Sequence, residues 1–316
     1  MILTRYAGMR VALGLAQVLG VLVVVFLVAS VLPGDAAVVI AADDADPARI
    51  AQLRETLGLD RPLLVQLGDW LAGLPRADLG TSAVSGRPVA EILSAALVPT
   101  LTLAALALAV LIPLAVGLGV AAAVGRGRRV DRTISGVVVA LYAVPEFALA
   151  IVLVAVFAVG LGLFAPTAVG AGGPLLWQPE LWVLPVAVLV IRPVCSLSRL
   201  VRASMITTLE SDYIRHTLRL GVPGRRVVWR HALPGSLTPA AAHLARVADW
   251  LLGGVVVVEA VFALGGLGQV LVSAVSSRDI PLLMGLAALF AVITVAVNTI
   301  ADIVAFRLTP TAGGTS

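Results

Sequence analysis

The chain has 316 residues, 60% apolar and only 13% charged, with a mean hydropathy of +1.06. Soluble domains carry roughly 25% charged residues, so this composition describes a membrane protein and excludes a disordered chain, a collagenous or disulfide-built fold and a cytosolic enzyme. All 22 basic residues are Arg, so a GxxxxGK[ST] phosphate loop is impossible and any ATP hydrolysis linked to this protein belongs to another chain. The net charge of +4 reads as basic loops on the cytoplasmic side of a membrane, because no basic soluble module is present to hold nucleic acid.

Six segments are long and apolar enough to cross a hydrocarbon core, which takes about 20 residues: Val11–Leu32, Thr100–Val124, Ile134–Phe164, Leu181–Leu200, Ala240–Val261 and Ile280–Phe306. Arg5 and Arg10 precede the first, but its apolar run outlasts the roughly 7–15 residues of a secretory signal, so it reads as a retained span. The expected fold is an all-α membrane protein of six transmembrane helices. Its parts are an N-terminus with span 1 (1–32), an extracytoplasmic helical segment (33–99), a permease core of spans 2–6 (100–306) with a cytoplasmic loop at 199–239, and a tail (307–316).

Between spans 1 and 2, Pro33–Pro99 carries more Asp and Glu than its five Arg. Pro47, Pro62, Pro75 and Pro88 divide it, and Ile50–Leu57 and Leu63–Leu71 read as two short amphipathic helices. Its acids are spread along the chain without the alternating spacing of a calcium loop, so they are expected to be solvated. The next loop, Gly125–Thr133, holds Arg126, Arg128, Arg129 and Arg132, and Arg199–Leu233 holds seven Arg. Both are cytoplasmic if both termini are, an arrangement that satisfies every loop.

Within the spans, charges cost free energy and need a reason. Glu146, beside the kink residue Pro145, is a pathway-lining candidate or the partner of an Arg from another span. Arg192 is near enough to its span's inner end to snorkel. His243, Arg246 and Asp249 share one side of the fifth span, with an Arg246–Asp249 pair expected. Glu259 at the outer end of that span either caps the Gly-rich turn after it or serves cargo entry. Asn298 and Asp302, four apart, suit a helix–helix hydrogen bond. Cys195, in apolar sequence, reads as a small buried side chain. Three dispersed His and one Cys make no metal site, and no catalytic motif occurs.

The loop Arg199–Pro239 is about 40 residues long and has internal order. Met205, Leu209, Tyr213, His216 and Leu220 recur at helical spacing and predict one stripe of one helix, with Asp212, Arg215 and Arg219 mainly off it. Gly221 ends that helix as a positive-φ residue does, and a second short helix with Arg225, Arg226 and Arg230 runs to Pro234. Such a helix-turn-helix, flat on the membrane face, suits a groove in a partner.

At these residues the chain resembles bacterial ABC-importer permeases of the dipeptide, oligopeptide and nickel group. Arg202-Ala-Ser-Met, Asp212-Tyr-Ile-Arg, Gly221, His231-Ala-Leu-Pro and Pro239 are similar to that family's coupling-loop signature. Leu57-Gly-Leu-Asp-Arg-Pro-Leu, Asp78-Leu-Gly-Thr-Ser and Gly86-Arg-Pro-Val resemble the group's first, "B-type" permease, as do Glu259-Ala-Val-Phe, Gly266-Leu-Gly and Arg278-Asp-Ile-Pro. The matches run in order from Leu32-Pro-Gly-Asp to Asp302. The chain departs from the family pattern at His216 and Thr217, where small residues are common, near Gly235, where an Asn is common, and at the tail, where Leu308-Thr-Pro replaces Asp-Pro-Arg.

The resemblance implies a subunit in the bacterial plasma membrane, paired with a second homologous permease, two ATP-binding subunits and an external substrate-binding protein. It binds no cofactor itself, and ATP is used by the partners. The ATPase-coupling residues it implies are Met205, Leu209, Asp212, Tyr213, Arg215, Leu220, Gly221, His231 and Pro234, with Glu146 and Glu259 as pathway candidates. Di- or oligopeptides are the expected cargo, with nickel or another small solute as the alternative within the class. A secondary transporter with Glu146 as its ion site is the alternative outside it, but no repeat between halves is visible and the basic loop would be unexplained. The topology is testable with an impermeant thiol reagent on intact cells: a Cys at Ser82 is expected to react and one at Ser211 is not. Labelling at Ser211 alone would reverse the orientation.

Overall fold

The structure, a computed structural model, describes residues 2–31, 34–41, 46–170 and 178–308. Every regular element among them is helical. In chain order these are α1 (Ile2–Val31), α2 (Ala36–Ala41), α3 (Pro47–Thr56), α4 (Leu63–Gly73), α5 (Val89–Val124), α6 (Arg129–Ala143) and α7 (Glu146–Leu153) with a π-helical extension (Val154–Gly160). Next come α8 (Glu180–Leu209), α9 (Asp212–Arg219), α10 (Gly224–Arg226) with a π-helical turn (Val227–Ala232), α11 (Leu233–Phe262), α12 (Leu267–Ser276) and α13 (Ile280–Leu308). Four continuous helices are long and apolar enough to span a membrane, and the number rises to six if two broken pairs, Arg129–Ala143 with Glu146–Gly160 and Gly253–Phe262 with Leu267–Ser276, each count as one.

The third expected span is therefore not one rod. Its halves meet at 104°. Val144 is extended (ψ 130°) because the ring of Pro145 disfavours the helical conformation in the residue before it, and Pro145 brings no N–H to continue the ladder. The second span differs in the other direction. Its helix α5 starts at Val89 and runs through Pro99 for 36 residues, about 54 Å at helical rise, well beyond a hydrocarbon core of about 30 Å.

The chain forms two compact units. The first comprises Met1–Thr100 and Gly265–Thr299. In it Leu22 and Phe26 of α1 bury against Leu67, Met284 and Ala288, while Val89, Leu93 and Ala96 pack with Leu267, Ala274, Leu282 and Leu286. Over Ala12–Val31 α1 is apolar but for Gln17 and Ser30 and exposes Leu15, Leu19, Val24 and Val28, as a helix facing lipid does.

The segment after α1 contains the two expected helices, as α3 and α4, and also the short α2. Asp46 caps α3 by accepting from the Ala48 N–H at 3.0 Å. Asp69 and Glu91 stay exposed and pair at the surface with Arg61 and Arg87, whereas the half-buried Asp35 pairs with Arg54, each contact at 2.6 Å. The strongest tie is Asp279, a buried carboxylate at the start of α13. It accepts from the Ser82 hydroxyl at 2.5 Å, the Ala83 N–H at 3.2 Å and the Leu282 N–H at 3.2 Å, pinning the turn at 82–85 to the head of that helix. Ser82 itself is thus buried, and Val84, 43% exposed in the same turn, is where the thiol-labelling experiment is informative.

The second unit comprises Leu101–Leu264 and Ile300–Ser316. Its core is α8 packed along α11, with Leu111, Trp182, Leu189, Val201, Met205, Ile214, Leu251 and Phe262 in one continuous cluster. Helix α5 approaches α8 at Gly119, where a Cβ would lie 2.8 Å from the Ser198 carbonyl oxygen, so only glycine allows the two backbones to come this close.

Replacing Asp279 by Ala strips the acceptor from a buried hydroxyl and two buried or half-buried N–H groups. Asp279→Ala is expected to lower stability by about 2 kcal/mol or more, read as an earlier thermal transition and faster proteolysis near residues 82–86 in detergent. An unchanged transition would mean that the apolar contacts of Val89 and Leu93 hold this segment unaided.

Candidate coupling site and pathway residues

The loop between α8 and α11 folds locally from its caps. Helix α8 stops at Leu209, and Ser211 leaves the helical region (ψ 151°) to cap α9, accepting from the Ile214 N–H at 3.5 Å and donating to the Thr208 carbonyl at 2.7 Å. The single stripe read from Met205 to Leu220 is therefore split between two helices. Met205 and Leu209 belong to α8, with Met205 fully buried, whereas Tyr213 and His216 lie on α9 and Leu220 is its C-cap. The side of α9 turned to the core carries Ile214 and Thr217 instead. A spacing count could not see the break, because Ser211 permits either continuation and its capping hydrogen bonds decide.

Gly221 has φ +79°, as its place after the helix requires, and an added Cβ would meet no atom within 4 Å. Strain there comes from the backbone conformation alone. The second helix does not stop at Pro234. From Gly224 the chain winds through α10 and the π-helical turn into α11, and Pro234 lies directly after that turn, where the wider π-helical winding takes up the ladder bond its missing N–H would have made. Across the loop the Tyr213 hydroxyl and His231 Nδ1 share a 2.8 Å hydrogen bond, and Arg215 pairs with Asp212 at 2.6 Å. Left exposed are Tyr213 (58%), Leu218, Leu220 (70%) and Trp229, among the exposed Arg215, Arg219, Arg225, Arg226 and Arg230.

Sequence reasoning missed the group that organises this end of the unit. Asp131, 5% exposed in the first turn of α6, accepts from Arg202 Nε at 2.7 Å and Nη2 at 2.8 Å, from the Gly127 N–H at 2.9 Å and from the Ser135 hydroxyl at 3.3 Å. Beside it, on the surface, Arg126 pairs with Glu210. The available signal was a lone acid set among four Arg in a short loop.

Of the pathway candidates, Glu146 opens α7 and meets Arg192 of α8 at 3.3 Å, while the Arg192 guanidinium lies over the Tyr142 ring at 5.2 Å. Arg192 is thus held in a cross-helix pair and does not simply snorkel. Glu259 is fully buried near the end of α11. In the turn after it, the Gly265 N–H is taken by Gln269 at 2.8 Å and the Leu267 N–H by Thr100 at 2.9 Å, so those two donors are capped by other side chains. His243 Nε2 lies 3.2 Å from the Ser196 hydroxyl. The expected Arg246–Asp249 and Asn298–Asp302 contacts involve side chains outside the described residues. Cys195 is buried, and no His, Cys, Asp and Glu cluster able to hold a metal occurs among the described residues.

Among the described residues the chain is built of helices, four of them long and apolar enough to span a membrane, or six with the two broken pairs, which defines a multi-pass membrane protein. Residues 115–313 match the family described as binding-protein-dependent transport system inner membrane component, and residues 2–104 match its N-terminal component. The chain belongs to this family: it is an inner-membrane permease subunit of a binding-protein-dependent ABC importer. It is 37% identical to peptide transport system permease proteins of Brucella abortus and Brucella suis, over 93% of this chain and 94% of each of theirs. It is 35% identical to the glutathione transport system permease protein GsiC of Salmonella typhimurium, over 92% of both chains.

Proposed function

We propose that this permease moves di- or oligopeptides and that the α9 surface docks it onto an ATP-hydrolysing partner. The observation that carries the docking is the set of exposed apolar side chains, Tyr213 and Leu218 on α9, Leu220 at its C-cap and Trp229 in the π-helical turn, interspersed along the loop with exposed Arg, α9 itself having a defined start at Ser211 and end at Gly221. Large apolar side chains on a rigid support, with a charged rim, are the usual energetic centre of an interface. The peptide cargo is supported by the names of the Brucella and Salmonella relatives.

In the proposed assembly a second homologous permease completes the pathway, two ATP-binding subunits sit at the cytoplasmic face with both permease termini, and an external binding protein delivers cargo. The permease binds no cofactor. Closure of the ATPases draws α9 with it, and the spans rock to expose the cavity alternately to each side. Met205 and Leu209 anchor the loop from α8, Tyr213 and Leu220 are the contact side chains, Asp212 and Arg215 set charge at the rim, and His231 holds the Tyr213 hydroxyl in place. Gly221 and Pro234 fix where the two helices end and begin. Glu146 and Glu259 are the pathway residues.

Two measurements test this. Gly221→Val, strained by roughly 1 kcal/mol or more at φ > 0, and Tyr213→Asp are expected to insert normally but to lose both ATPase co-purification and peptide uptake. Arg126→Ala, which removes only an exposed ion pair, is expected to have a much smaller effect. Wild-type association in the first two variants would reduce the loop to a solvated connector. Glu146→Gln is expected to lower uptake or shift cargo preference while ATP hydrolysis persists. Uptake that tracks the proton gradient and ignores ATP depletion would establish an ion-driven carrier instead.

A further inference from the structure

Docking at α9 is useful only if a pull on that helix reaches the spans. Helix α9 is short and joins α8 through a two-residue turn at Glu210 and Ser211, so by itself it could swing about that turn. What ties the end of α8, from which α9 hangs, to the neighbouring helix is the Asp131 carboxylate. Arg202 is two turns before the end of α8, and its guanidinium grips Asp131 with two parallel hydrogen bonds at 2.7 and 2.8 Å, a fork that fixes orientation as well as distance. The remaining acceptor capacity of Asp131 is taken by the Gly127 N–H, from the turn between α5 and α6, and by Ser135, one turn further along α6. One carboxylate thus binds the α5–α6 turn, the first turns of α6 and the last turns of α8.

Helix α6 is also the first half of the broken span. At its far end stand Val144 and Pro145, and beyond them α7 begins with Glu146, paired back to Arg192 of α8. The span is therefore held to α8 on each side of its break, by Asp131–Arg202 below and Glu146–Arg192 above. The lower contact is bidentate and built on a buried carboxylate. The upper is a single, longer contact whose carboxylate is less deeply buried. Rigidity at the lower contact and compliance at the upper are what a lever needs.

We propose that Asp131 and Arg202 are a positioning pair for transport, a strut that converts displacement of α9 into displacement of α6 and so of the Pro145 break. The pair stays closed while the helices it joins move as one body. This rests on the docking of α9 onto an ATP-hydrolysing partner.

The test uses the permease in its purified complex, with a reporter Cys at Thr133, exposed near the start of α6 and ahead of the third span, in a Cys195→Ala background, labelled with and without ATP and vanadate. This readout needs no knowledge of the cargo. Wild type is expected to change labelling rate on nucleotide trapping. Asp131→Asn alone leaves Arg202 half-buried and unpaired, so the informative variant is Asp131→Asn/Arg202→Gln, which removes both charges together. The double variant is expected to assemble with the ATPase and trap nucleotide normally, yet to reduce the labelling change at Thr133 roughly tenfold, the scale of a coupling free energy between two sites.

A double variant that restores the wild-type change would overturn the strut and leave the pair a stabilising contact only. If the double variant does not accumulate, Arg202→Lys carries the test, because it keeps the charge and loses the fork. It is expected to bind ATPase fully and transmit only part of the change, and full transmission would overturn the proposal. A wild-type complex that retains no ATPase would overturn the docking of α9 itself, and the strut with it.

Discussion

A carboxylate taken out of water at the edge of a membrane has to be matched donor for donor, and Asp131 is. Leaving one charge of such a pair unmatched costs several kcal/mol, so the residues around Asp131 are not free to drift. Arg202 must point from α8 toward α6, the turn after α5 must present the Gly127 N–H, and α6 must begin where Ser135 can reach back. That match holds the last turns of α8 against α6, and from the end of α8 the Ser211 cap and the buried Ile214 and Thr217 set which side of α9 is exposed. Specific geometry is a better-founded reason for this pair than stability, since an apolar replacement could be as stable but would hold no fixed angle.

The same economy governs the breaks in the helices. Backbone N–H and carbonyl groups at membrane depth cannot be left to water, so a span can break only where neighbouring groups take over. At the Pro145 break the Val144 N–H turns back to the Leu141 carbonyl and the Leu149 N–H donates to the Pro145 carbonyl, which restarts the ladder as α7. After α11, Ala263 takes a left-handed conformation, its N–H bonds the Glu259 carbonyl, and the Phe262 carbonyl accepts from the Ala168 N–H at 2.9 Å. Where α10 passes into α11, a π-helical turn absorbs the mismatch and brings His231 to Tyr213.

Asp279 has in its own unit the role that Asp131 has in the other: one buried carboxylate that collects donors from a distant turn. It caps α13 through Leu282 and holds Ser82 and Ala83 from nearly 200 residues earlier in the chain. Arg278, immediately before it, has φ +56°, a conformation that bulky residues avoid and that the anchored Asp279 sustains. One buried acid in each unit thus ties together segments that are distant along the chain.

Composition alone determined that this is a helical membrane protein without a phosphate loop, because hydropathy and the absence of Lys are properties of the chain and need no contacts. Local chemistry determined the positive φ at Gly221 and the presence of α3 and α4, since caps, prolines and amphipathic spacing act over a few residues. Ordered motifs were enough to mark the permease family. Pro145 already marked a kink in the third span, but only the structure decided that the bend there is as sharp as 104°, that the stripe from Met205 to Leu220 is divided at Ser211, and that the Arg meeting Glu146 is Arg192. It also singled out Asp131 among the charges of a basic loop and gave Asp279, already within the Arg278-Asp-Ile-Pro motif, its partners. The physical reason is common to the buried acids: such a charge is defined by the partners that reach it, and those partners lie about 70 residues away for Asp131 and nearly 200 for Asp279, a separation at which spacing along the chain carries no information.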